Sequence, residues 1–196
     1  MTKSLMMTMA MLSGMSVPPL HGEDAARTVT IYYDYDAHVP ETTVFRATRQ
    51  ASRIFAKIGT TVRFHNSLTN RKAGAGLELD MYIGMEAPAG MNSAALALSH
   101  PFRQDGRIEV FYSRIQEYKP VECRDVVLAY ILTHEITHVL EGMQHHAPTG
   151  VMKEKWDRAD LKKIQAARLE FDPSDVDFIR DGIEKRVSDV RLATTR

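Results

Sequence analysis

Cysteine is nearly absent: Cys123 is the one copy in 196 residues. An intrachain disulfide is impossible, and so is a Cys-rich zinc module or a CxxC redox pair. Cys123 itself suits packing as a small hydrophobe beside the helix that follows it. Net charge is absent too, since 25 Lys and Arg offset 25 Asp and Glu. That balance provides no electrostatic footprint for nucleic acid or an anionic bilayer. No apolar run is long enough to span a membrane, which takes roughly 20 residues. Internal repeats and low-complexity blocks are also missing. What is left is ordinary globular usage, 44% hydrophobic and 26% charged, in a length that suits one monomeric domain with a full core.

The N-terminus places Lys3 before the Met-rich apolar run from Leu5 to Val17. A basic residue followed by a short apolar stretch reads as an export signal. Residues 1–26 are therefore expected to be a signal peptide and flexible lead, with cleavage between Ser16 and Ala26 and a secreted or periplasmic product. A single catalytic domain is expected over 27–190, and a tail over 191–196.

Within that domain, Thr28 to Tyr35 is β-branched and aromatic and reads as a strand. Pro40 sits like a first helical residue. Val44, Ala47, Ala51, Ile54, Phe55 and Ile58 then recur at helical spacing up to Gly59. Thr60 to Phe64 is a second strand, which completes a βαβ unit with parallel strands. Ser67 to Gly76 reads as a loop, Leu77 to Gly84 as a third strand, and Ala94 to Ser99 as a short fourth. Gln104-Asp105-Gly106 marks a turn, and Ile108 to Ser113 a fifth strand. Beyond these, Asp157 with Asp160 looks like a helix N-cap. Leu161, Ile164, Ala167 and Leu169 continue that helix, Asp172-Pro173 breaks it, and Val176, Phe178, Ile179 and Ile183 mark a last amphipathic helix.

The most specific stretch is His134-Glu135-Ile136-Thr137-His138. It lies in a Pro-free run from Val126 that ends at Gly142, a natural helix stop. Residues four apart share a helix face about 6 Å apart, so His134 and His138 can hold one metal ion. Glu135 lies about 100° round the helix, beside the ion and not on it, where a proton acceptor is useful. The same helix carries Val127, Leu128, Ile131, Leu132, Ile136 and Val139 and is apolar nearly all round, so it should be buried. Polar groups buried without partners cost about 2–7 kcal/mol each, and a metal would partner the imidazoles. Glu141-Gly142-Met143-Gln144-His145-His146 follows, then Gly150 and Met152. A third imidazole therefore comes within reach soon after the turn, from either of two adjacent histidines. Adjacent residues of an extended segment point to opposite sides, so one of the two converges on the ion. His21, His38, His65 and His100 stand apart from the motif.

These residues resemble the metzincin branch of the zinc metallopeptidases, whose pattern is HExxHxxGxxH followed by a Met-turn. The resemblance implies His134 and His138 as zinc ligands, Glu135 as general base and acid, and Met152 as the Met-turn residue beneath the ion. Family spacing would place the glycine at position 141, where this chain has Glu141. Gly-x-x-His counted from Gly142 selects His145 as third ligand. The short His-to-Met tail of compact members, like His146-Ala147-Pro148-Thr149-Gly150-Val151-Met152, favours His146. Another zincin branch takes its third ligand from a later Glu, which keeps Glu154 and Glu170 in view. The element order also resembles the family. It implies an α+β fold with a mixed, mostly parallel twisted sheet and an antiparallel edge strand, packed on the HExxH helix, with C-terminal helices. By the same resemblance, Ala95, Leu96, Ala97 and Leu98 would form the edge that pairs with an extended peptide; a plain core strand or loop is the alternative. In this looser match of element order the chain is similar to short secreted bacterial zincins of unknown substrate. Zn2+ and a peptide or protein substrate are the implied cofactor and partner. A zinc-binding module without turnover and a metal-free domain are the competing functions, and an intact Glu135 argues against the first of these.

Overall fold

The protein is described here by a computed structural model, which covers residues 28–67, 76–102, 106–118 and 121–194. The export-signal reading of residues 1–26 falls outside the described residues, as does most of the 67–76 loop and of the 104–106 turn.

β1 (Thr28–Tyr35) leads through α1 (Glu41–Ala56) to β2 (Thr61–Asn66), and β3 (Leu77–Gly84) follows. β4 (Ala97–Ser99) and β5 (Ile108–Phe111) complete one sheet with spatial order β2-β1-β3-β5-β4. β1 pairs with β2 and β3 in parallel, β3 with β5 in parallel, and β4 with β5 antiparallel. The parallel βαβ order follows from the β-branched runs and the intervening helix-period stretch. On β3, Leu77, Leu79, Met81 and Ile83 are buried while the residues between them are less so, the period-two signature of a half-covered sheet.

α1 buries Val44, Ala47, Ala51, Ile54 and Phe55. That face packs on β2 and along α3 (Arg124–Glu141), which Val121–Cys123 introduces as a 3-10 turn. Every residue of α3 from Val127 to Thr133 and from Ile136 to Glu141 is buried, so the helix is a central rod of the core, in keeping with its all-round apolar sequence. Its buried threonines are satisfied locally: the Thr133 and Thr137 hydroxyls donate to Ala129 O and Thr133 O, both at 2.8 Å.

Several boundaries differ from the sequence expectation: β4 begins at Ala97 and not at Ala94, Pro40 caps α1 and does not open it, and three differences are larger. β5 stops at Phe111 because α2 (Tyr112–Gln116) begins there and buries Tyr112 and Ile115; one helical turn is too short to show a period. α4 (Arg158–Gln165) starts on the expected Asp157–Asp160 capping box, but it ends before Ala167, whose φ of 54° turns the chain. Leu169 is buried from the connection, where its carbonyl accepts the Tyr130 hydroxyl at 3.0 Å. Asp172-Pro173, expected to break the preceding helix, also starts the expected last one. α5 (Pro173–Thr194) has Pro as its first residue and Asp172 Oδ1 accepting from Ser174 N at 3.1 Å. It runs to Thr194, into the 191–196 segment expected to be a tail. Gly182 lets α5 cross the end of α3, since a Cβ there would lie 2.0 Å from Leu140 O.

Candidate metal centre

The centre is assembled by the last two turns of α3 and the loop beyond. Gly142, with φ 67°, caps the helix; its N–H reaches His138 O at 3.1 Å and Val139 O at 3.2 Å. The chain then doubles back, and Ala147 N donates to Met152 O at 2.9 Å, which closes a small loop over Gly150. This closure brings His146 against the two helix histidines. The His134 and His138 Nε2 atoms are 3.0 Å apart. The His146 ring lies 5.4 Å from that of His134 and 5.0 Å from that of His138, centroid to centroid. One nitrogen from each of the three lies within 4.8 Å of the others. A tetrahedral zinc with ligands at about 2.0–2.1 Å needs its nitrogens roughly 3.3 Å apart, so small ring movements suffice.

Orientation of His134 comes from the loop itself. His134 Nδ1 donates to Val151 O at 2.9 Å, so Nε2 carries the free lone pair. The Trp156 indole N–H reaches the same carbonyl at 3.3 Å, and its ring stands edge-on to His134 at 6.0 Å. Met152 is fully buried within the loop. The protonation state suits coordination as well. Burial lowers the pKa of His134, and burial followed by the neighbouring His134 and His146 lowers that of His138 to about 3. Burial, then His134, lowers His146 in the same direction. Three neutral imidazoles with converging ring nitrogens are a donor set that fits zinc.

Glu135 stands beside this group, and the Ser99 hydroxyl from β4 hydrogen-bonds its carboxylate. Burial raises Glu135 to about 7, while the Ser99 bond and His146 pull it down. Glu135, Ser99 and the three histidines border a cleft of about 470 Å3 that Ala94–Leu98, Tyr118, Ile131 and Lys153–Trp156 also line. Of the edge residues named from sequence, Ala97 and Leu98 lie in β4 and Ala95 and Leu96 lead into it.

His145 turns away from the triad. Its Nε2 lies 3.6 Å from Asp175 Oδ1, and its ring meets Phe178 edge-on at 5.3 Å. Glu154 lines the cleft, and Glu170 contributes its backbone carbonyl to Val151 N at 3.0 Å; neither carboxylate is among the grouped ligand atoms. The positions that sequence reading missed are Val151, Trp156 and Ser99. A backbone carbonyl leaves no sequence signal. Trp156, the single tryptophan and four residues past Met152, was the one available cue.

No protein-family model and no curated protein sequence matches this chain. Among solved structures, it is similar to the crystal structure of archaemetzincin from Methanopyrus kandleri, with a TM-score of 0.53 and 14% identity, over 82% of this chain and 97% of that one. The fold is metzincin-like. At this identity the likeness concerns architecture: the mostly parallel sheet, its antiparallel edge and the accompanying helices.

Behind the three histidines, Glu141 and Asp175 are buried with three carboxylate oxygens lacking a hydrogen-bond partner among the described residues. Burial, then Asp175, raises the Glu141 pKa to about 8; burial also raises Asp175. A carboxyl whose folded pKa lies above its unfolded value ionises more readily in the unfolded chain. Its destabilising contribution is absent below about 4.5 and complete above about 8. Glu141→Gln is therefore expected to raise Tm at pH 8.5 and leave it nearly unchanged at pH 4. Thermal melts of both proteins across that range, with zinc held constant, check this; a uniform shift at all pH values would reject it.

Proposed function

We propose that this chain is a zinc-dependent peptidase acting on peptides or proteins. The observation that carries the reading is the convergence of three neutral imidazoles beside Glu135, at the foot of a cleft bounded by a sheet edge. His134, His138 and His146 would hold the ion. Zinc so held supplies Lewis acidity, which polarises a carbonyl and makes water acidic enough to react near neutral pH. Val151 O keeps His134 in the tautomer that coordinates. Glu135 accepts a proton on its carboxylate from the attacking water and returns it to the departing amine. Ser99 holds that carboxylate at the end of β4. The outward groups of β4 align an extended substrate by backbone pairing. The apolar run after Lys3 supports export of the protein, and the metzincin-like fold supports the peptidase chemistry. Lys153, bonded to Asp157 and Asp160 at 2.6 Å each, is neutralised on the cleft wall.

A zinc-binding module without turnover shares the three histidines but has no use for a carboxylate held beside them. About one zinc per chain is expected on purification. Cleavage of a peptide mixture should stop with a chelator and return with added zinc. Elemental analysis with no transition metal after zinc supply would reject the metal reading, and bound zinc without any cleavage would favour the binding module.

A further inference from the structure

In the β4–β5 pair, Ala97, Leu98 and Ser99 lie opposite Val110, Glu109 and Ile108. Leu96 O accepts from Phe111 N at 2.9 Å, and His100 N donates to Arg107 O at 3.0 Å. Bonded and non-bonded positions alternate along an antiparallel pair. Leu96, Leu98 and His100 therefore direct their backbone groups toward β5, and Ala97 and Ser99 turn theirs to the open edge. Ala95 would be the next outward position, but it is already engaged. Its N–H donates to Asn92 O at 3.0 Å, and its carbonyl accepts from Arg114 Nη1. The same Nη1 donates to Asn92 O at 2.7 Å, and the guanidinium lies 5.4 Å from the centre of the Phe111 ring.

We infer that Arg114 is a specificity-determining residue that ends backbone pairing at Ala97, so that the cleft reads only a short stretch of peptide on that side. This rests on the peptidase reading. Ser99 bonds Glu135 and so marks the reacting end; Ala97 is the one outward position beyond it, and Ala95 is closed.

The test is a set of peptides sharing one cleaved core, lengthened one residue at a time from either end. A backbone hydrogen bond gained should raise kcat/KM by about 2- to 10-fold. In the wild type the gain stops, on one side, after the residue that faces Ala97. In Arg114→Ala, which frees the Ala95 carbonyl while the Ala95 N–H stays on Asn92 O, it continues for one further hydrogen bond, opposite Ala95. A variant that is merely loosened would lose activity at every length and keep the same stopping point. Zinc content and Tm are measured in parallel, and Arg114→Met, which keeps the stem over Phe111 and has no donor for the Ala95 carbonyl, replaces a variant that does not fold. A wild type that keeps gaining opposite Ala95, or variants that stop where the wild type stops, would overturn the assignment. Zinc-loaded protein that cleaves no peptide of the set removes the peptidase reading, and the inference with it.

Discussion

Glu135→Gln is expected to keep its zinc and its fold and to lower kcat by about 100- to 10,000-fold, the range of general acid–base catalysis. The substitution preserves volume and keeps a group that can bond the Ser99 hydroxyl, so packing at the end of β4 should not change. None of the three grouped nitrogens belongs to it, so metal content should match the wild type. What the amide lacks is basicity: it neither accepts the proton of the attacking water nor hands one to the leaving amine. The pH profile separates this from a structural effect. Glu135 must be ionised to act, so wild-type kcat/KM should fall as pH drops through its pKa, about 7 before a bound cation pulls it lower. The residual activity of the variant should lack that limb. Zinc-loaded Glu135→Gln with unchanged turnover would remove the general-base role.

The centre was legible where the chain encodes geometry locally. His134, Glu135 and His138 lie on one helix, and fixed helical spacing converts their numbers into positions. Gly142 was legible as a stop because left-handed backbone favours glycine, and its φ of 67° bears that out. The parallel β1–β2 pair followed from two strand-like runs separated by one helix, whereas the mostly parallel sheet and the antiparallel edge seen in the order β2-β1-β3-β5-β4 were implied by the family resemblance. Contacts between residues far apart in the chain were not legible. The bond from His134 to Val151 O depends on how a loop closes, and any residue could supply that carbonyl. The same holds for Asp175 facing His145, which needs α5 to cross α3 at Gly182. Short elements were lost for another reason. α2 spans five residues, fewer than a periodic pattern needs to repeat, so Tyr112 and Ser113 passed as strand. Aspartate before proline was read as a break because it stops a preceding helix; here the same pair caps and starts the next one.

The adjacent histidines at 145 and 146 should separate sharply when each is replaced by alanine. His146 contributes a ring stacked 5.4 Å from His134, and its nitrogen belongs to the converging set. His145 faces the other way, toward Asp175 at 3.6 Å and Phe178. His146→Ala leaves two imidazoles, and zinc affinity should fall by more than about 100-fold, the upper end of what losing an outer-shell partner costs. Zinc binding stabilises the folded chain by about 2.7 kcal/mol when free zinc is 100 times Kd. The variant should therefore lose most of the zinc-dependent rise in Tm while its metal-free Tm stays near that of the wild type, because His146 is exposed. His145→Ala should show the opposite pattern. Its zinc affinity should remain within about tenfold of the wild type, a shift no larger than a weak outer-shell effect. Its metal-free Tm should fall, because Asp175, fully buried, keeps the Asp172 N–H on Oδ2 but loses the His145 imidazole beside Oδ1, which then faces Glu141 uncompensated. Isothermal titration with zinc and paired melts with and without the metal distinguish the two. A severe loss of affinity in His145→Ala with His146→Ala intact would reverse the assignment. Unchanged affinity in both would pass the third position to a carboxylate such as Glu170, for which Glu170→Gln is the next variant.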